Sequence, residues 1–138
     1  MLKPFLLVLL SIVPAALTAQ ASLEGVVTHV RDVDTFEVDG IAIRLNGIDG
    51  PELNEPHGRQ ASAFMQQLVD GRTVTCALNG ERNGDRLIGV CFLDGQDVGA
   101  LAIAQGLALD CRRYSGGRYA HLEQPGAVQR LGGRAGYC

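Results

Sequence analysis

Three short segments carry the side chains in this chain best suited to chemistry. They are Arg31-Asp32-Val33-Asp34-Thr35, the run Ile43-Arg44-Leu45-Asn46-Gly47-Ile48-Asp49-Gly50-Pro51-Glu52, and Gly84-Asp85-Arg86-Leu87-Ile88-Gly89. Together they offer aspartates, three arginines and one glutamate. Carboxylate oxygens suit hard cations. Guanidinium forks match the geometry of phosphate. A glutamate near a water molecule can take its proton. Each residue also has a plain structural reading. Asp32, Asp34 and Asp49 are acids of the kind found in turns. Glu52 alone reads as a solvated loop charge. Arg44 lies in an apolar strand, which puts it against a polar groove or a buried partner. Arg86 would face Glu81 as a cross-strand ion pair.

The elements that must position these groups follow from periodicity. Leu23–Arg31, Thr35–Val38 and Ile41–Ile48 alternate as strands, with Asp39-Gly40 as the hairpin turn between the last two. Asp49-Gly50-Pro51-Glu52 ends the pattern and opens a loop. Gly58–Val69 sets Ala61, Phe64, Met65 and Leu68 on one helical face. Arg72–Leu78 and Arg86–Leu93 form a second hairpin. Val98–Gln105 is a helix with Val98, Leu101, Ala102 and Gln105 on its stripe, stopped by Gly106. Pro125-Gly126 breaks a helix within Arg118–Leu131. Three strands, a helix, two strands and then helices is the order of an OB-fold, an all-β barrel of five strands with accessory helices.

Met1–Ala21 stands apart. It has Lys3, an apolar run from Pro4 to Leu17, and Ala19-Gln20-Ala21 at its end, the pattern of a signal peptide. The expectation is an exported chain, secreted or periplasmic, whose single domain covers residues 22–138. Four cysteines, Cys76, Cys91, Cys111 and Cys138, then imply two disulfides. A tight turn at Asn83-Gly84 sets Cys76 opposite Cys91 across the hairpin. Cys111–Cys138 follows by exclusion. Net charge is −3, unlike the basic balance of most nucleic-acid binders. Beyond Lys3 every basic side chain is an arginine or a histidine. His29, His57 and His121 show no ligand spacing.

The chain resembles the staphylococcal nuclease-like, or thermonuclease, family from about Val26 to Tyr119. RLNGIDGPE carries most of the likeness, with RDVDTFEV before it, GDRLIGV after it, and QGLA at Gln105–Ala108. The resemblance implies a five-stranded OB barrel and a calcium-dependent endonuclease acting on DNA and RNA, with single strands preferred and a 3′-phosphate left on the product. It implies Asp34 and Asp49 as calcium ligands, the Gly50 carbonyl as a backbone ligand and Asp32 as the neighbouring acid. Glu52 would activate water, and Arg44 and Arg86 would hold the phosphate. Tyr114 corresponds to a substrate-side tyrosine. Arg112, Arg113 and Tyr114 together suit a single-strand platform of rings and guanidinium groups, whereas Tyr119 reads as core.

The chain departs from that family at several points. Gly50 stands where threonine is usual, Gly84-Asp85 where tyrosine and glycine are usual, and Arg112 where another tyrosine is expected. Asp85 adds negative charge beside Arg86. The C-terminal Gly-Tyr-Cys replaces an apolar tryptophan stretch, so that a disulfide takes over some of its packing. The competing expectation is a barrel that binds nucleic acid or another ligand without turnover. An envelope scaffold is a third. A monomer is expected, with no stable protein partner and no membrane association after signal cleavage.

Overall fold

In the computed structural model, residues 1–2, 11–17 and 19–138 are described. The sequence-predicted signal peptide falls partly on residues 3–10 and 18, which lie outside that set. No helix among the described residues is long and apolar enough to cross a membrane.

The chain begins its sheet at Ser22. Strands β1 (Ser22–Asp32), β2 (Thr35–Val38) and β3 (Ile41–Leu45) form an antiparallel meander. Asp39 and Gly40 both take positive φ (47° and 80°) at the β2–β3 turn, which matches the right-handed twist of the flanking strands. A two-residue strand, β4 (Ile48–Asp49), precedes helix α1 (Gly58–Val69). Strands β5 (Thr73–Asn83) and β6 (Arg86–Leu93) form the second hairpin, and β7 (Gln96–Asp97) leads into α2 (Val98–Ala104). Then come β8 (Leu109–Asp110), α3 (Arg112–Ser115), a 3₁₀ turn (Ala120–Leu122) and α4 (Ala127–Arg130).

Sheet order is β3-β2-β1-β5-β6-β7, and β3 also pairs with β6 in parallel. That last pairing closes five strands into a barrel, so the fold is the OB-type barrel with accessory helices that the pattern predicts. Phe36, Ile43, Ile48, Met65, Val69 and Ile103 fill its interior. Helix α1 buries Ala61, Met65 and Val69 because their spacing repeats with the helical turn.

Three sequence expectations need correction. Helix α2 ends at Ala104, and Gln105 is exposed while Ile103 is buried, so the buried stripe runs through Val98, Ala102 and Ile103. The expected third strand, Ile41–Ile48, is two pieces, because Asn46-Gly47 turns the chain and Ile48-Asp49 pairs with Leu109-Asp110 instead. The β5–β6 turn sits at Gly84-Asp85, one residue later than predicted, with Asn83 opposite Arg86.

Cys76 nevertheless faces Cys91, because a bulge between Leu78 and Arg82 absorbs the shift. The two are bonded with their Cα atoms 4.0 Å apart, and Cys111 is bonded to Cys138. The bulge also removes the expected Glu81–Arg86 ion pair. Glu81 lies in the bulge, and its carboxylate contacts Asn79 instead.

Candidate active site

The site lies where the β1–β2 turn, the end of β3, the loop after β4 and the start of β6 come together. Asp34, Arg44, Glu52 and Arg86 line one cavity of about 480 Å³, with Asn46, Tyr114 and Tyr137 among the other walls. Asp32 lines a neighbouring depression of about 300 Å³ that shares Asn83 and Arg86 with the first. Asp49 and Gly50 line a third, of about 220 Å³.

Asp34 is 7% exposed and well fixed. Its backbone N–H donates to Asp32 Oδ1 at 3.1 Å, which holds the β1–β2 turn. Its Oδ1 accepts the Thr35 hydroxyl at 2.8 Å, and its Oδ2 lies 3.5 Å from Arg44 Nη2. Arg44 also donates to the Leu45 and Ile48 carbonyls at 2.7 and 3.0 Å. Those backbone bonds lock the guanidinium in place, so its position does not depend on a bound ligand. Arg86 donates to Thr35 Oγ1 at 3.1 Å and has no carboxylate partner among the described residues. Thr35 therefore links Arg86 to Asp34. The sequence reading missed it, although a hydroxyl directly after the second aspartate was a visible signal.

Asp85 does not oppose Arg86 as its charge suggested. It forms a bidentate pair with Arg31, at 3.2 and 2.7 Å, and Arg31 also contacts Glu37 at 2.9 Å. The Arg31 hydrogen bonds hold the Asp85 carboxyl below the usual carboxylate range. The pair ties the β5–β6 turn to β1, which steadies the strand that begins with Arg86.

Glu52 is exposed, and its carboxylate makes no ion pair or hydrogen bond among the described residues. Its backbone is held instead. Glu55 Oε2 accepts the Glu52 N–H at 2.8 Å, and the Glu55 N–H donates back to the Glu52 carbonyl at 2.9 Å. Gly58 makes this loop possible. A β-carbon there would stand 1.8 Å from the Glu52 carbonyl oxygen, so only glycine lets α1 start under the loop.

Gly50 has a similar cause. A β-carbon at that position would lie 2.1 Å from Val33 Cγ1 and 3.5 Å from Asp34 Oδ2. The bulk of Val33 on one turn thus requires the glycine on the other. Gly50→Thr is expected to lose about 1–3 kcal/mol of stability through overpacking. Pairing it with Val33→Ala should recover part of that loss, which a double-mutant cycle in urea measures.

Negative charge accumulates here. Burial, and then the charge of Asp34, push Asp32 up to about 7. Burial also raises Asp49, with Asp34 adding to the effect and the Ala135 N–H opposing it. Of Asp32, Asp34, Asp49 and Glu52, only Asp34 has an ion-pair partner among the described residues. Hard oxygen donors crowded this way fit a divalent cation in their chemistry. The arrangement is open, however. Among the described residues no three acidic, histidine or cysteine side chains converge closely enough to chelate an ion. Asp49 Oδ2 accepts the Ala135 N–H at 2.7 Å.

Of the expected substrate platform, the structure brings Tyr114 to the cavity. Arg112 and Arg113 are exposed on α3 and do not line it. Arg118 and Tyr119 serve the fold. The Tyr119 hydroxyl donates to Asp97 Oδ2 at 2.7 Å, and Asp97 Oδ1 caps α2. Tyr137 was not foreseen. The pairing of Cys138 with Cys111 was the signal that could have placed it near Tyr114.

A five-stranded OB-type barrel with Asp34, Arg44, Glu52 and Arg86 around one cleft defines the class. The chain belongs to the staphylococcal nuclease homologue family, whose model matches residues 42–130. It is 33% identical over 100 residues to an uncharacterized endonuclease of Escherichia coli O157:H7, covering 69% of this chain and 65% of that one. It is 34% identical over 107 residues to the succinoglycan biosynthesis protein ExoI of Rhizobium meliloti (strain 1021), covering 69% and 56%. Over 66 residues it is 32% identical to the staphylococcal-like nuclease CAN1 of Arabidopsis thaliana, covering 48% of this chain and 20% of that one. The chain thus spans less than two thirds of the length of each of these relatives.

Proposed function

We propose that this chain is an exported, calcium-dependent endonuclease that hydrolyses the phosphodiester bonds of DNA and RNA. The observation that carries this reading is the shared cavity: Glu52 lines it with an unpaired carboxylate beside Arg44, Arg86 and Asp34. Glu52 takes a proton from water as the water oxygen bonds to phosphorus. The bond from phosphorus to the 5′ oxygen breaks, that oxygen takes up a proton from solvent, and the phosphate stays on the 3′ side. Arg44 and Arg86 hold the phosphate oxygens as negative charge builds on them. Both guanidinium groups are already fixed by bonds to protein, so little reorganisation is needed during reaction. Asp34, Asp32, Asp49 and the Gly50 carbonyl are the oxygen donors that would hold calcium. When bound, that ion offsets charge on a phosphate oxygen. The two disulfides and the apolar leader pattern support export.

The test is cleavage of a fluorescent single-stranded oligonucleotide. Turnover with calcium and loss of turnover in a chelator is the expected result. Equal cleavage with and without chelator would refute the metal role.

The engagement of Asp49 by Ala135 favours one second reading, a barrel that binds oligonucleotides without cutting them. A parent chain that binds the oligonucleotide but leaves it intact at every calcium concentration would establish that reading.

A further inference from the structure

The C-terminal tail builds one wall of the main cavity, and no step of the proposed reaction uses it. Tyr137 lines that cavity together with Tyr114. The residue is 53% exposed, and its hydroxyl makes no hydrogen bond among the described residues. Core packing therefore does not account for where it sits.

The tail around Tyr137 is firmly held. Cys138 is bonded to Cys111, and its carbonyl accepts the Arg113 N–H at 3.3 Å. The Cys138 N–H donates to the Ala135 carbonyl at 3.0 Å, and the Ala135 N–H donates to Asp49. Arg134 grips Glu123 through two bonds of 2.7 and 2.8 Å and donates to the Asp110 carbonyl. A segment pinned at both ends thus presents one exposed ring. The same disulfide also anchors the start of α3, which carries Tyr114, itself 48% exposed. One covalent link therefore sets two rings on the wall of a cavity that also contains two guanidinium groups.

We infer that Tyr137 is a nucleobase-contacting residue which, with Tyr114, forms a stacking subsite beside Arg44 and Arg86, presented by the Cys111–Cys138 disulfide. The inference rests on the nuclease reading above. Its chemistry is that of a nucleotide: phosphate oxygens for the arginines, and a flat π-face of any base for the rings. A cavity of about 480 Å³ lies within the usual range for small-ligand sites. Stacking tolerates every base, so the subsite adds affinity with little sequence preference.

The experiment measures anisotropy of a short labelled single-stranded oligonucleotide and of an abasic strand of equal length. It is carried out with calcium in a Glu52→Gln background, so that the strand stays intact. Tyr137→Ala is expected to weaken binding of the base-bearing strand by about tenfold and to leave the abasic strand unchanged. Tyr137→Phe should bind as the parent does, since the ring carries the contact. Replacing both Cys111 and Cys138 with serine should reproduce the Tyr137→Ala loss if the barrel stays folded. Should it unfold, the exposed Tyr137 variants alone decide. Equal loss on both strands, or no loss on either, would overturn the subsite while leaving the nuclease reading intact. Failure of the parent to bind either strand would remove both.

Discussion

Glu52→Gln is expected to lower turnover by about 100-fold or more while leaving oligonucleotide affinity close to that of the parent. The amide keeps the size of the side chain but cannot accept the proton of water. The change should act on chemistry alone, because the Glu52 carboxylate makes no contact that supports the fold among the described residues. The backbone bonds with Glu55 that hold the loop involve the Glu52 amide and carbonyl, which glutamine retains. Single-turnover cleavage with matched binding measurements separates the two quantities. A variant that cuts as fast as the parent would remove Glu52 from the reaction. One that loses binding and cutting equally would make it a substrate contact.

Arg86→Ala is expected to give the second large effect, a loss on the order of 100-fold or more in turnover. Arg86 is the less restrained of the two arginines. It rests on Thr35 and the Asn83 carbonyl, with no acid opposite it, so its charge is free for phosphate. Arg86→Lys should restore only part of the loss, because a point charge does not reproduce the planar fork. Arg44 is a less clean probe. It spans the Leu45 and Ile48 carbonyls and Asp34, so its removal also disturbs the turn that leads to Asp49. Comparison of kcat and KM for Arg86→Ala, with thermal unfolding as a control, checks the assignment. Unchanged kcat would contradict it.

The barrel was legible in the sequence because strand periodicity, Asp39-Gly40 and the α1 face are local signals. Asp34, Arg44, Glu52 and Arg86 were legible as a set through the resemblance to the staphylococcal nuclease-like family, and all four line one cavity. The β5–β6 hairpin shows how a correct pairing can rest on a wrong turn. Asn83-Gly84 was the stronger local signal, yet the chain turns at Gly84-Asp85, and the Leu78–Arg82 bulge restores the cysteine register. A bulge leaves little trace in residue types, so neither the shift nor the loss of the Glu81–Arg86 pair could be read beforehand.

Other features were hidden because they depend on contacts distant in sequence. Ala135 reaches Asp49 across 86 positions, through a backbone N–H that every residue but proline possesses. Arg31 reaches Asp85 across 54, which reverses the meaning of the charge beside Arg86. Gly50 read alone was only a departure from the family's usual threonine. Beside Val33 it is a close-packed contact between the two turns that carry the acids.

Calcium titration by calorimetry, with the parent chain and Asp34→Asn compared in the presence of an uncleavable oligonucleotide analogue, bears most directly on the proposed calcium site. One ion taken up per parent chain, with uptake lost in Asp34→Asn, is the expected result. Uptake that is the same in both chains, or absent from a parent that still cuts nucleic acid, would contradict it.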